Sequence, residues 1–192
     1  MAKQRCPHII TIPPNRERYK EASRKVFEVF EEYTEVIEGV SIDEAYLDMS
    51  QYSIDNLEPA KAIKQDIFRE TGLTASVGVS YNKFLAKLAS EWKKPNGLTI
   101  IREEDAMDLL EPLDIGKVHG VGPKTQERLR QMGFHTIQDL RALDLPFLTD
   151  ILGKFGPDIY YRIRGVDHRP VEVNLERNAI VVERTFDGDT AS

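Results

Sequence analysis

The stretch Val36-Ile37-Glu38-Gly39-Val40-Ser41-Ile42-Asp43-Glu44-Ala45-Tyr46-Leu47-Asp48-Met49 reads as two strands around a tight reversal, because β-branched and aromatic residues flank a short polar centre. Three carboxylates, Asp43, Glu44 and Asp48, fall within six residues of it. Burying acids in such a run is costly unless something cationic pairs with them. Neighbouring side chains on a regular strand point to opposite faces, so Asp43 and Glu44 converge only at a turn or bulge. Converged carboxylates need a divalent cation between them, and two carboxylates with open water positions suit Mg²⁺. The alternative is a solvated turn with an ordinary Asp-Glu pair, and spacing alone does not separate the two.

Outward from this hairpin the pattern alternates. His8–Ile12 is a short apolar run that fits a strand, and Pro13 and Pro14 end it. From Asn15 to Tyr33 the apolar residues Tyr19, Ala22, Val26, Val29, Phe30 and Tyr33 recur at helical spacing. Residues 57–71 predict an amphipathic helix closed by Gly72, 73–80 a strand, 82–94 a helix stopped by Pro95-Asn96-Gly97, and 98–101 a strand. The expected order is β-α-β-β-α-β-α-β, an α+β layer with helices on one face of a sheet. After Arg102 short helical segments follow one another at 103–111, 114–118, 123–132, 136–142, 145–153 and 156–165. A polar, extended stretch over 166–178 reads as a linker, and AIVVERTF (179–186) begins another strand.

Composition bounds the function. The chain has 192 residues, with 41% hydrophobic and 30% charged side chains, as expected of a soluble globular protein without a membrane span or secretory signal. Its one cysteine, Cys6, excludes an intramolecular disulfide and fits a reducing, cytoplasmic setting. A net charge of −6 argues mildly against nucleic-acid binding.

Two further motifs carry chemistry. In VHGVGPKTQERLRQMG (118–133) a Gly-x-Gly turn joins two short helices, with Thr125 opening the second, which is a helix-hairpin-helix pattern. Glycines permit close approach, and free N–H groups at a helix start attract anions. Lys117, Lys124, Arg128 and Arg130 against Glu127 give a local charge of +3, suited to gripping a phosphate backbone without reading bases. An ordinary helical hairpin is the alternative. Lys93 and Lys94 end the preceding Lys-rich helix beside a tight turn, where a point charge could reach a triphosphate or serve only the helix dipole.

SIDEAYLD, then SVGVSYNKFLAKLASEWKKPNG, then HGVGPKTQERLRQMG, resembles the Y-family DNA polymerases, the translesion enzymes of DNA polymerase IV type. RCPHIITIPPNRERYKEASRKVFEVFEEYT resembles the family segment that precedes the acidic motif, so the likeness covers nearly the whole chain. The resemblance implies a palm over 1–101, built on a partial ferredoxin-like sheet, and a helical thumb over 102–168. A linker would follow over 169–178, and the start of a little-finger domain over 179–192. It implies that Asp43 and Glu44 are catalytic, binding two Mg²⁺ for nucleotidyl transfer. Lys94 would contact the incoming deoxynucleoside triphosphate, and Gly120, Val121, Gly122, Lys124 and Thr125 would hold primer–template DNA. A sliding clamp is a further implied partner. The family's opening Asp-x-Asp-x-Phe-Phe strand is not found ahead of Arg5, and the fingers and most of the little finger are missing. The chain is therefore expected to be an incomplete palm with a thumb, inactive alone. The alternative is a non-catalytic DNA-binding or interaction module derived from such a polymerase.

Overall fold

The computed structural model describes residues 2–118 and 120–173. The chain opens with α1 (Ala2–Arg5) and α2 (Arg16–Glu31), then β1 (Ile37–Gly39), β2 (Ala45–Leu47) and α3 (Glu58–Thr71). Next come β3 (Val77–Ser80), α4 (Lys83–Trp92) and β4 (Leu98–Ile101). The remainder is helical: α5 (Glu103–Leu110), a 3₁₀ turn (Ile115–Lys117), α6 (Pro123–Gln131), α7 (Ile137–Arg141), α8 (Leu145–Leu152), a second 3₁₀ turn (Gly153–Phe155) and α9 (Gly156–Arg162). This is the α+β arrangement expected, with the helices of the second half within a few residues of their predicted positions. The sequence-predicted linker beyond Val173 and the strand over 179–186 lie outside the described residues.

The strand expected over 8–12 does not form. That segment starts in a turn closed by the Ile9 N–H on the Cys6 carbonyl and joins no ladder among the described residues, and Ile10 and Ile12 are 85% and 83% exposed. β-propensity expresses side-chain packing on a half-buried sheet, and no strand among the described residues provides one beside it. The remaining strands pair two by two. β1 and β2 are antiparallel, with Glu38 opposite Tyr46. β3 and β4 are parallel, with Val77 opposite Leu98, and α4 is the crossover between them.

Helix starts follow the side chains available to cap them. Asn15, Asn82 and Asp144 each accept a hydrogen bond from a backbone N–H of the turn that follows, and Thr136 with Asp139 forms a capping box. Gly72 closes α3 in a left-handed conformation at φ 70°. α4 lies directly on β3, since a Cβ on Gly78 would fall 2.0 Å from the Ala86 carbonyl oxygen.

Two apolar clusters form the core. Val29, Ile63 and Ile67 join α2 to α3, with Leu47 and Met49 packed against them. A larger cluster runs from Phe84, Leu85 and Leu88 of α4 through Ile101 into the helical half, where Leu110, Leu129, Leu140, Leu148 and Ile163 are fully buried. After α9 the chain returns as a strap across the N-terminus of α4. The Tyr81 hydroxyl and the Asn82 amide donate to the Gly165 carbonyl at 2.9 and 2.8 Å, and Asp167 accepts from the Phe84 N–H at 3.1 Å.

The α2–α3 contact has a titratable marker. The Tyr33 hydroxyl donates to the Asp66 carboxylate. Burial, reinforced by the Asp66 hydrogen bond and charge, pushes the Tyr33 phenol up to about 12. The neutral phenol is thus favoured in the fold. Its contribution is present below the unfolded pKa of about 10 and is lost as pH climbs towards the folded value. In a phenolate-absorbance titration, Tyr33→Phe should remove the component ionising near pH 12 and flatten the fall in stability above pH 10. An unchanged high-pH component would assign it to another tyrosine.

Candidate functional site

The acidic turn sits at the tip of the β1–β2 hairpin. The Glu44 carbonyl accepts both the Val40 N–H at 2.8 Å and the Ser41 N–H at 3.2 Å, so the backbone of Glu44 closes the reversal. Its side chain is left for other work. The Asp43 carboxylate accepts from the Ser41 hydroxyl at 2.6 Å and is exposed. The Glu44 carboxylate instead takes the Lys87 ammonium at 2.6 Å. The two acids flank one turn but are engaged by different partners. The third acid, Asp48, accepts the Ser50 N–H at 2.9 Å; hydrogen bonding at Ser50 holds it below the usual carboxylate range.

Lys87 continues the contact. It also lies 3.4 Å from Glu91, and Glu91 holds Lys94 at 2.6 Å. Glu44, Lys87, Glu91 and Lys94 thus form an alternating line of charge along α4. Burial works against the charged form of Lys87, but its bonds to Glu44 and Glu91 outweigh this and raise its pKa. The Lys94 hydrogen bond, against the opposing effect of burial, leads the lowering of Glu91. Lys87 and Glu91 escaped the sequence reading, although their i,i+4 spacing was visible. Lys94 stands just outside the helix, which ends at Trp92 with Lys93 as its cap.

A second acid–base pair underlies the hairpin. Glu38 of β1 and Lys83, the first residue of α4, are each 7% exposed and form a buried ion pair. Lys83 also donates to the Pro170 carbonyl at 3.0 Å and lies over the Tyr46 ring, while Glu38 accepts the Glu172 N–H at 2.9 Å. Separated by 45 positions, the pair left no local signal in the sequence.

The Gly-x-Gly turn joins the first 3₁₀ turn to α6. Thr125 does not open α6: the helix starts at Pro123, with Gly122 as its cap and no side chain capping it. Proline needs no N–H partner at this first position and fits it better than Thr125. The left-handed residue is Gly120, at φ 101°, whereas Gly122 has φ −73° and a Cβ there would meet nothing within 4 Å. The basic residues are unequal. Arg130 pairs with Asp114 at 2.8 Å and Arg128 donates to the Ile151 carbonyl at 3.1 Å. Lys117 and Lys124 have no ion-pair partner among the described residues. No described hydrogen bond or ion pair joins this turn to the acidic hairpin.

Residues 1–91 match the family model impB/mucB/samB, and residues 103–134 match the helix-hairpin-helix motif model of the same family. DNA polymerase IV of Clostridioides difficile (strain 630) is 48% identical over 189 residues, 97% of this chain and 52% of the relative. DNA polymerase IV of Streptococcus suis (strain 98HAH33) is 49% identical over 190 residues, 96% of this chain and 53% of the relative. The chain belongs to the Y family of DNA polymerases, of the DNA polymerase IV type. Among solved Y-family structures, DinB from Sulfolobus solfataricus superposes with a TM-score of 0.82 at 33% identity, over 89% of this chain and 52% of that one. The insertion ternary complex of Dbh DNA polymerase gives 0.82 at 33%, over 89% and 51%. This chain therefore spans about half the length of the Y-family polymerases it matches. Among the described residues no helix is long and apolar enough to cross a membrane.

Proposed function

We propose that the chain is the palm and thumb part of a translesion DNA polymerase, with the palm over 1–101 and the thumb over 102–168. The observation that carries this reading is the line Glu44–Lys87–Glu91–Lys94, with contacts of 2.6, 3.4 and 2.6 Å. It puts the acidic turn and the lysine-bearing turn on one side of α4, where a nucleotide's phosphates could meet both. The donors fit Mg²⁺ in kind, being hard carboxylate oxygens, and Mg²⁺ uses one or two of these with substrate phosphates and water. Among the described residues no three His, Cys, Asp or Glu side chains form a metal cluster. Asp43 and Glu44 would hold the ions. When bound, the ions supply charge neutralisation at the attacking 3′-hydroxyl and at the leaving pyrophosphate.

The chain's own residues have separable tasks. Lys94 offers a point charge to the triphosphate and must exchange Glu91 for it. Lys87 holds Glu44 until a stronger cation competes. The turn from Gly120 to Thr125 would offer Lys124 and the uncapped amides at the start of α6 to DNA phosphates, the Val121 N–H being held by the Val118 carbonyl, and so bind backbone rather than bases.

The test is a graft. The matching stretch of Clostridioides difficile DNA polymerase IV is replaced by this chain, and primer extension is measured with Mg²⁺ and the four deoxynucleotides. Templated extension is expected. A folded graft that binds primed DNA without extending it would favour the non-catalytic binding module.

A further inference from the structure

Lys64 stands in the middle of α3, beside the buried stripe Ala60, Ile63 and Ile67. Its ammonium points to the start of the parallel pair β3–β4 and meets four oxygens: the carbonyls of Ala75 at 2.6 Å, Asn96 at 2.8 Å and Gly97 at 3.0 Å, and the Asn96 side-chain oxygen at 2.7 Å. An ammonium has three protons, so two of these acceptors share one. None of the four is a carboxylate. The arrangement is that of a cation seated among backbone dipoles.

The oxygens belong to the turn that follows Lys94. Asn96 has a positive φ of 56°, in the left-handed region that asparagine tolerates in tight turns. The Gly97 N–H donates to the Ser76 hydroxyl at 3.2 Å, and the Gly97 carbonyl also accepts from Val77 at 3.0 Å. Lys94 itself is half-exposed, and among the described residues its one ion pair is with Glu91. Its position therefore depends on the backbone of this turn.

We propose that Lys64 is a positioning residue for nucleotide binding: its ammonium takes the place of a bound cation among the carbonyls of Ala75, Asn96 and Gly97, and so fixes the turn that presents Lys94 to a polyphosphate. The inference rests on the reading of Lys94 as a triphosphate contact. Lys64 would touch no substrate; it acts through the turn. Burial holds its pKa below the usual lysine value, in keeping with an ammonium that lies partly inside the fold.

The test uses the whole ¹⁵N-labelled chain, free of metal in EDTA, with inorganic tripolyphosphate as probe. Shifts in the unsubstituted chain should centre on residues 93–97. Lys64→Met should weaken binding about tenfold, the equivalent of one lost charge-assisted hydrogen bond. It should also speed hydrogen exchange at the Val77 and Gly97 amides, with Leu129 and Leu148 signals unchanged as a check on folding. Lys64→Arg, which keeps the charge and its donors, should restore most of both. Lys94→Met should abolish binding and leave exchange at Val77 and Gly97 slow. Unchanged exchange in Lys64→Met overturns the clamp. Fast exchange with undiminished binding shows Lys64 to be structural only, and overturns the positioning role. Undiminished binding by Lys94→Met would remove the Lys94 reading instead, and the positioning role with it, while the exchange data still judge the clamp. If the methionine variant does not fold, Lys64→Gln carries the same comparison.

Discussion

Glu38→Ala is expected to lower the stability of this chain by about 3–5 kcal/mol, the usual effect of leaving a buried charge without its partner. Glu38 and Lys83 are each 7% exposed, so water cannot take over the lost interaction. Lys83 would keep the Pro170 carbonyl at 3.0 Å and its place over the Tyr46 ring, but neither neutralises its charge. Its position at the first residue of α4 makes matters worse, because the positive end of the helix dipole faces it. The Glu172 N–H would lose its acceptor as well, loosening the strap whose Asp167 caps α4. For a chain of this length the melting temperature should fall by about 10 °C. Glu38→Met combined with Lys83→Met should recover much of the loss, since an apolar pair of similar volume often replaces a buried ion pair without penalty. A loss under about 1 kcal/mol for Glu38→Ala would mean that the pair is hydrated in solution.

Glu44→Gln should leave the fold intact and sharply lower primer extension by the polymerase graft. The turn is closed by the Glu44 carbonyl, which the substitution keeps. The ion pair with Lys87 is partly exposed, at 27% and 39%, and such pairs are worth at most about 1 kcal/mol. In the polymerase graft, however, the loss of one of the two carboxylates that would hold the metal ions should reduce primer extension by about 10²–10³-fold. Lys94→Met should act differently, chiefly by raising the nucleotide KM, because it loses a contact made before the chemical step. Extension by Glu44→Gln within about threefold of the unsubstituted graft would leave Glu44 as a mere partner of Lys87.

What was legible in the sequence was local. The Gly72 stop, the helix-hairpin-helix turn and the β1–β2 reversal each rest on residues within a few positions of one another, and each is found where its pattern put it. The strand at 8–12 failed because apolar β-branched residues need a partner that no local pattern supplies. Thr125 was chosen as a helix start by residue type, while Pro123 held the first position by its fixed φ. At the candidate site, Asp43, Glu44 and Lys94 stood out by resemblance, but the residues between them did not. Lys87 was hidden as an ordinary helix lysine. Glu38 and Lys64 act across 45 and 32 positions respectively, distances that no periodicity reports. Even the local charge of +3 near the hairpin is smaller in the fold: Asp114, three residues ahead of Lys117, neutralises Arg130.

The most direct measurement on the chain itself is an NMR titration with short duplex DNA at two salt concentrations. Weak, sequence-independent binding is expected, with a dissociation constant of about 10⁻⁴ M or weaker at physiological salt and shifts centred on Gly120 to Thr125. Lys124→Ala should reduce the salt slope by about one. Gly122→Val should weaken binding several-fold while costing under about 1 kcal/mol of stability, because its φ is ordinary and the space beside it is open to a phosphate rather than to protein. Shifts that centre on the palm and spare Gly120 to Thr125, with Gly122→Val binding as before, would contradict a DNA-gripping thumb.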